Sequence, residues 1–548
     1  MKTHPFGTGR LKCAAGIVVA GLVLSACAAE EPTAADGGTN GDSETTQSDG
    51  TLNVGMAVAP TTIDPASACT LDDNQLAYQL YAQLLEYGTQ TNDDGVSEVD
   101  PTTVEPYLAH DWEVNDDADV YTFYLEEGWT FPSGEPVDAE AVKYSMERTN
   151  AINGCGAAII NNLYTEPFLI EEIVVVDDHT VEFNLSRSDV DFPLAMATAS
   201  ASIVDPSLVE ENGGVEDNTP NEWMDSNEAG SGPFRLESYE PGNQAVLVAD
   251  ENFQGEAPGS EQINVSWIDS DSAMTLQLQN GDIDIAMGLT KNSAASFEDE
   301  EGFELAANVA TANMQLLTPM DTEPWDDVLV REAVTHAIPY EDILDNVLQG
   351  YGELYYGPIQ PTMPGFDESL SAPRDYDPDY AQELIDESGL DTPVTVDLDI
   401  ISGNPTHEDL GTIIQGALSE IGIEVNVNAL SESAWNDAVY NGTTQMALRL
   451  DGPAIFSAGY YLQYDEYCSS PHNTGRVCVE GNEELLDSAR SATDEDERDE
   501  YLSQLTENWI EESPKTILYL DANAVVHREG VHYHYDMVTN MRDWAPAE

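Results

Sequence analysis

Val394-Thr395-Val396-Asp397-Leu398-Asp399-Ile400-Ile401 alternates like a β-strand, and the series of elements it begins sets the architecture. Thr406 to Ile421 has helical spacing and stops at Gly422. Ile423 to Leu430 is strand-like, Glu432 to Asn441 is helical and stops at Gly442, and Gln445 to Leu450 is strand-like again. Strand, helix, strand, helix, strand is the pattern of an α/β layer with a largely parallel sheet.

The same regularity extends on both sides. Upstream, Val328 to Ala337 and Tyr340 to Leu348 read as helices separated at Pro339. Asp377 to Ser388 reads as a helix, with Asp377-Pro378 as cap and first-turn proline and Gly389 as its end. Downstream come helices at Glu483 to Ala492 and Glu495 to Glu511, then strand-like Thr516 to Leu520 and Val525-Val526.

The first half is more mixed. Leu52 to Met56 alternates as a strand, and leucines at 76, 80, 84 and 85 predict a helix over Asp72 to Tyr87. Tyr121 to Leu125 is a strand and Val137 to Thr149 a helix with Asp138 near its start. Hairpins are expected at Ile173 to Leu185 and around Pro241-Gly242-Asn243. Ile263 to Ile268 and Ile283 to Met287 read as strands flanking a helix at Ser272 to Gln279. There is no internal repeat.

A chain of 548 residues, 41% hydrophobic, has ample material for a core and predicts about three domains' worth of chain at ~150 residues each. It carries 104 acidic against 17 basic residues, a net charge of −87. Such a surface repels nucleic acid and anionic lipid. The acids are spread along the whole chain, as in a solvated acidic coat.

The amino-terminal part has its own grammar. Lys2, Arg10 and Lys12 precede an apolar run, Ala14 to Leu24, too short to span a bilayer, which needs about 20 apolar residues. It reads as a secretory signal over residues 1–26. Leu24-Ser25-Ala26-Cys27 resembles a bacterial lipobox, which would make Cys27 the lipidated first residue of the mature chain. Residues 27–50, rich in Ala, Glu, Thr, Gly, Ser and Asp, read as a flexible tether. With Cys13 and Cys27 set aside, four cysteines remain for an oxidising compartment, and three pairings are open. Cys468 and Cys478 bracket a short loop holding Pro471 and Gly475, which favours that pair; Cys69–Cys155 follows by elimination.

Catalytic chemistry has no foothold in the motifs. There is no Gly-x-Ser-x-Gly elbow, no His-Glu-x-x-His and no phosphate-binding loop. Asp93-Asp94-Gly95 lacks the alternating ligands of a calcium loop. His532 and His534 would share one strand face without a clear third metal ligand. Acid pairs such as Asp72-Asp73 and Asp326-Asp327 are adjacent, so their side chains point apart. No cofactor or metal is expected. Asp451 stands at the end of a strand in the α/β region, where ligands are commonly met.

Several segments, in one order, resemble the family 5 extracellular solute-binding proteins, the oligopeptide-, dipeptide- and nickel-type receptors of ABC importers. They are Leu108 to Val114, Tyr121 to Phe131 and Ser133 to Ser145, then Gly230-Ser231-Gly232-Pro233-Phe234, Gln277 to Ile285, Asp327 to Val334, Tyr376-Asp377-Pro378 and Leu418 to Ile423. The likeness runs from about residue 51 to 545.

The resemblance implies an α/β, two-lobed periplasmic-binding-protein-like fold of type II, with an extra subdomain on lobe one and a hinge between lobes. By analogy, lobe one spans 51–311 plus 522–548, with its inserted subdomain at about 90–220, and lobe two spans 312–521. The crossovers fall near Asn308–Met314 and Leu520–Val525. The resemblance also implies a solute-binding receptor, not an enzyme, whose partners are a small solute, ABC permease subunits and the membrane through its anchor. The chain is expected to be a monomer on the outer face of the membrane. A peptide is the favoured solute; nickel or a metallophore, an oligosaccharide, or a secreted hydrolase in place of a receptor are the alternatives. In peptide-binding members an Asp after the lobe-two strand meets the peptide's α-amino group, and Asp451 is the positional match. Arg449, two residues away on the same strand face, would either neutralise Asp451 or hold a ligand carboxylate. Trp435, Tyr460, Thr61 and Ser202 complete the candidate ligand-binding set.

Overall fold

The computed structural model describes residues 50–91, 97–161, 167–533 and 539–547. The signal, Cys27 and the tether up to residue 49 lie outside these, as do Asp93-Asp94-Gly95 and His534.

The described chain opens on β1 (Thr51–Met56) and two short helices, Leu71–Asn74 and Ala77–Leu80. β2 (Leu85–Thr91) pairs with β3 (Ser97–Pro106). β4 (Ala109–Val114), β5 (Val120–Leu125), β6 (Ile170–Asp177) and β7 (Thr180–Leu185) form a separate antiparallel sheet in the order β4-β5-β7-β6. β8 (Phe234–Glu240), β9 (Gln244–Ala249), β10 (Gln262–Trp267), β11 (Ile285–Met287) and the long β12 (Phe303–Leu317) complete the first half. The second half adds β13 (Gly352–Glu353), β14 (Val394–Ile401), β15 (Ile423–Leu430) and β16 (Met446–Asp451), and closes with β17 (Thr516–Arg528).

One large sheet organises both halves, in the order β15-β14-β16-β12-β17-β11-β1-β10-β9-β8, with β13 also on β17. At one end β14 runs parallel to β15 and β16; towards the other, β1 runs parallel to β10 and β11. Between them β12 and β17 form a long antiparallel ladder from Phe303↔Arg528 to Leu316↔Thr516. Its register shifts between Val309 and Asn313. The two strands expected at Thr516–Leu520 and Val525-Val526 are thus one continuous strand.

Capping explains why the second half is so readable. Asp377, Asn404 and Ser431 each accept a backbone N–H in the first turn of the helix they precede. Gly389 ends its helix at φ +75°, a conformation side chains resist. The core divides accordingly. Phe123, Phe183 and Phe192 pack on the four-stranded sheet, with ring centroids of Phe123 and Phe183 5.6 Å apart, edge to face. Leu398, Leu410, Ile414 and Leu448 pack under the second-half helices, and Val54, Val265 and Trp544 beside β1. Each such side chain stabilises the fold by ~1.5–3 kcal/mol on burial.

One expected element is overturned. The helix predicted over Asp72 to Tyr87 breaks after Leu80, where Tyr81 takes extended angles, and Leu85 already belongs to β2. Leu76, Leu80, Leu84 and Leu85 are all buried, so helical spacing there reports core contact and not a continuous helix. The break is fixed from outside. Gly232 donates to the Leu80 carbonyl at 3.0 Å, and a Cβ on Gly232 would fall 2.5 Å from the Tyr81 nitrogen. The Gly230-Ser231-Gly232 segment therefore lets one backbone lie directly on another.

Candidate functional site

Parallel strands present their carboxyl ends to ligands, and here two parallel sets do so at one place. A cavity of ≈ 440 Å³ is walled by the end of β1 (Met56), the end of β11 (Met287), Thr406 just beyond β14, Leu450 of β16 and Asp521 of β17. Leu71, Asp72, Gln75 and Lys291 line it as well. Most of the wall is apolar, with a few convergent polar groups, the usual composition of a small-molecule site. Leu450 is 49% exposed, an unusual state for a leucine near the middle of a sheet, and it is explained by the cavity.

The charged groups of the cavity are few. Lys291 Nζ stands 3.2 Å from an Asp521 carboxylate oxygen and also donates to the Ala522 carbonyl. Burial pushes the Asp521 carboxyl up, and Lys291 pulls against it. Asp72 Oδ1 accepts from Gln75 Nε2 at 3.0 Å. Gln75 is itself held, donating to the Val58 carbonyl at 3.1 Å and accepting from Trp267 Nε1 at 3.1 Å. Burial, ahead of any neighbouring charge, raises the Asp72 carboxyl above its ordinary value.

Strand alternation turns Arg449 and Asp451 to the face opposite Leu450, into a buried polar network under the helix Ala458–Glu466. Arg449 Nη2 lies 2.6 Å from Asp451 Oδ1, and Arg449 Nη1 lies 3.2 Å from Asp465 Oδ1. Arg449 also donates to Thr474 Oγ1 at 2.8 Å and to the Tyr464 hydroxyl at 3.1 Å. Tyr461 donates to Asp451 Oδ2 at 3.2 Å and accepts from Asn313 and Gln315. Lys515 closes the network on Asp465 and on Glu466, the latter at 3.0 Å. Burial pushes Asp451 up to about 6 against the pull of Arg449 and Lys515. Asp465 is buried too, yet Lys515 and Arg449 together hold it below its ordinary value.

The sequence-predicted residues therefore scatter. Asp451 and Arg449 come together as an ion pair. Trp435 packs with Leu317, Val439 and Ala447. Tyr460 packs with Ile455 in the cluster around Phe123. Thr61 is exposed and bonds Asp73 through its nitrogen and its hydroxyl, both at 2.8 Å. Ser202 is buried between Gln83 and the Ala199 carbonyl. None of these six lines the 440 Å³ cavity. Sequence reasoning passed over Asp72, Lys291 and Asp521. Lys291 carried a signal, being one of only three lysines after residue 12. Asp72 and Asp73 do point apart, as adjacent acids should: Asp73 accepts from Thr61, Cys69 and Thr70 while Asp72 faces the cavity.

Both expected disulfides are present, Cys69–Cys155 and Cys468–Cys478. Among the described residues no three His, Cys, Asp or Glu side chains converge as a metal site would, and no helix is long and apolar enough to cross a membrane.

Residues 103–473 match the bacterial extracellular solute-binding proteins, family 5. The chain belongs to that family. Its members are solute-binding proteins and not enzymes. Among curated relatives, a probable D,D-dipeptide-binding periplasmic protein of Escherichia coli is 28% identical, over 85% of this chain and 88% of its own length. Among solved structures, a periplasmic binding protein of Helicobacter pylori in complex with the peptide STSA superposes with a TM-score of 0.77 at 21% identity, covering 91% of this chain and 98% of that one. NikA of Brucella suis in complex with Fe(III)-EDTA gives a TM-score of 0.76 at 21% identity, over 90% and 98%. The fold of this family 5 protein is thus the mixed α/β, type II periplasmic-binding-protein fold.

Proposed function

We propose that this family 5 protein is the extracytoplasmic receptor of an ABC importer and captures a peptide between two lobes. The observation that carries the reading is the cavity at the carboxyl ends of both parallel strand sets, on either side of the β12–β17 ladder. Lobe one takes 51–311 and 522–548, with its inserted subdomain at about 90–220; lobe two takes 312–521. The hinge lies in β12 and β17 near Asn308–Met314 and Leu520–Val525, beside the register shift. Strand segments of this kind absorb the dihedral change of domain closure. A probable D,D-dipeptide-binding relative and a peptide-bound structural neighbour support a peptide as solute.

Asp451, the positional match for the residue that meets a peptide's α-amino group, is held by Arg449 at 2.6 Å outside the cavity, so in this reading it meets a solute ammonium only by giving up that partner. Cys27 is lipidated, residues 28–50 are the tether, and the receptor works as a monomer held near its permease at raised local concentration. Mass spectrometry of the solute that co-purifies with the protein tests the reading. A bound peptide is the expected result; a bound sugar or metal chelate would overturn the peptide assignment.

A further inference from the structure

The charges facing the cavity do not balance. Asp72 and Asp521 supply two carboxylates, and Lys291 one ammonium. Lys291 is committed to Asp521 at 3.2 Å and to the Ala522 carbonyl. Asp72 has no cation against it among the described residues; its contact is the neutral amide of Gln75 on Oδ1. That amide is fixed from two sides, by Val58 and by Trp267, so the carboxylate is held in place before any solute arrives. A half-buried carboxylate without a counter-charge is costly, and closing a cleft around it would raise the cost further. A cation brought in by the solute removes that cost and gains a charge-assisted hydrogen bond. Asp451 does not offer the same opening. It is 6% exposed, already carries Arg449 and Tyr461, and faces away from the cavity.

We infer that Asp72 is the anchor for an ammonium group on the solute, a conclusion that rests on the receptor reading above and extends it. The solute class is an amine with an apolar body, since Met56, Leu71, Met287 and Leu450 line the same cavity. For a peptide this places the free amino end at Asp72, in the cavity that Lys291 also lines. The strongly negative protein adds long-range attraction where such a solute carries net positive charge.

The test is binding, by calorimetry on the solute-stripped protein, of a mixture of apolar dipeptides and of the same mixture after N-acetylation. The wild type should take up the free mixture at least tenfold more tightly than the acetylated one. Asp72→Asn, which keeps an acceptor for Gln75, should lose that preference while its solute-free melting temperature stays that of the wild type. Asp72→Glu should retain part of the preference, and Asp451→Asn should retain it. Equal binding of both mixtures by the wild type, or an unchanged preference in Asp72→Asn, would overturn the anchor and leave the receptor reading standing. Loss of the preference in Asp451→Asn alone would return the amine to Asp451. Uptake of neither mixture by the wild type would overturn the peptide reading and the anchor together.

Discussion

Arg490 Nη2 lies 2.6 Å from Asp189 Oδ2, and both side chains are buried although 301 positions separate them in the chain. The contact joins the segment after β7 to the helix Asn482–Ser491. It does not stand alone: Asp191, two residues on, receives Ser457 and has Arg498 at 3.7 Å, and the Val190 N–H donates to the Arg490 carbonyl. Under the proposed partition these contacts clasp one lobe to the other.

Removing one partner of a buried ion pair leaves a charge with no compensation and costs about 3–5 kcal/mol. Arg490→Met should therefore lower the urea midpoint by that equivalent, far more than removal of a half-buried arginine such as Arg476, whose carboxylate partner Asp321 is exposed. Equal midpoints for the two variants would show that the pair is not what holds these segments together.

Asp451→Asn should act on stability before affinity. Arg449 would keep Asp465, Thr474 and Tyr464 but lose its 2.6 Å carboxylate. A hydrogen bond to a charged group is worth about 1.5–3 kcal/mol, and equilibrium unfolding should fall by that much. No change in unfolding free energy would contradict the network as drawn.

The two disulfides should differ in worth. On the loop-entropy estimate, closing the 86-residue separation of Cys69 and Cys155 contributes about 4.5 kcal/mol, and the 10-residue loop of Cys468–Cys478 about 2.7 kcal/mol. Paired Cys→Ser variants, unfolded by urea without reductant, should fall in that order. A larger loss from the short loop would show that native-state packing outweighs chain entropy here.

His407 makes stability depend on acid. It is buried with its Nδ1 accepting the Ile401 N–H at 3.2 Å, and burial pushes it down to about 4 from 6.5. Between those values the unfolded chain takes a proton that the folded one refuses. Stability should therefore fall as pH drops from about 6.5 to about 4, by up to about 1.4 kcal/mol per pH unit from this group. The difference in unfolding free energy between wild type and His407→Gln, followed from pH 7 to 4, should narrow along that slope. A pH-independent difference would rule the histidine out as its source.

Cys27→Ser should move the protein from the membrane fraction to the medium. Retention of the variant on membranes would remove lipidation as the means of attachment.

The second half of the chain was legible because its boundaries are written locally. Ser431 caps a helix through its own side chain, and Gly389 and Gly422 end two others at positive φ. The break after Leu80 was not legible, because its cause is a backbone 150 residues away, at Gly230 and Gly232. Period-two alternation set Arg449 and Asp451 on one strand face and left the role of Arg449 open. The cavity could not: its wall is assembled from Met56, Asp72, Met287, Lys291, Leu450 and Asp521, and no window of sequence contains more than a fraction of them. Asp72 in particular looks like one acid among 104 until the fold sets it in the cavity wall.

The ladder between β12 and β17 has a consequence for how such proteins diversify. Asn313 pairs with Leu520, so the chain from one to the other departs and returns through a single doorway. Everything between is a cassette with adjoining ends. A recombination at that doorway needs only two joints, one in each of two neighbouring strands, to hang a different cassette on the same frame, and it would replace the Leu450 wall while leaving the Asp72 wall untouched.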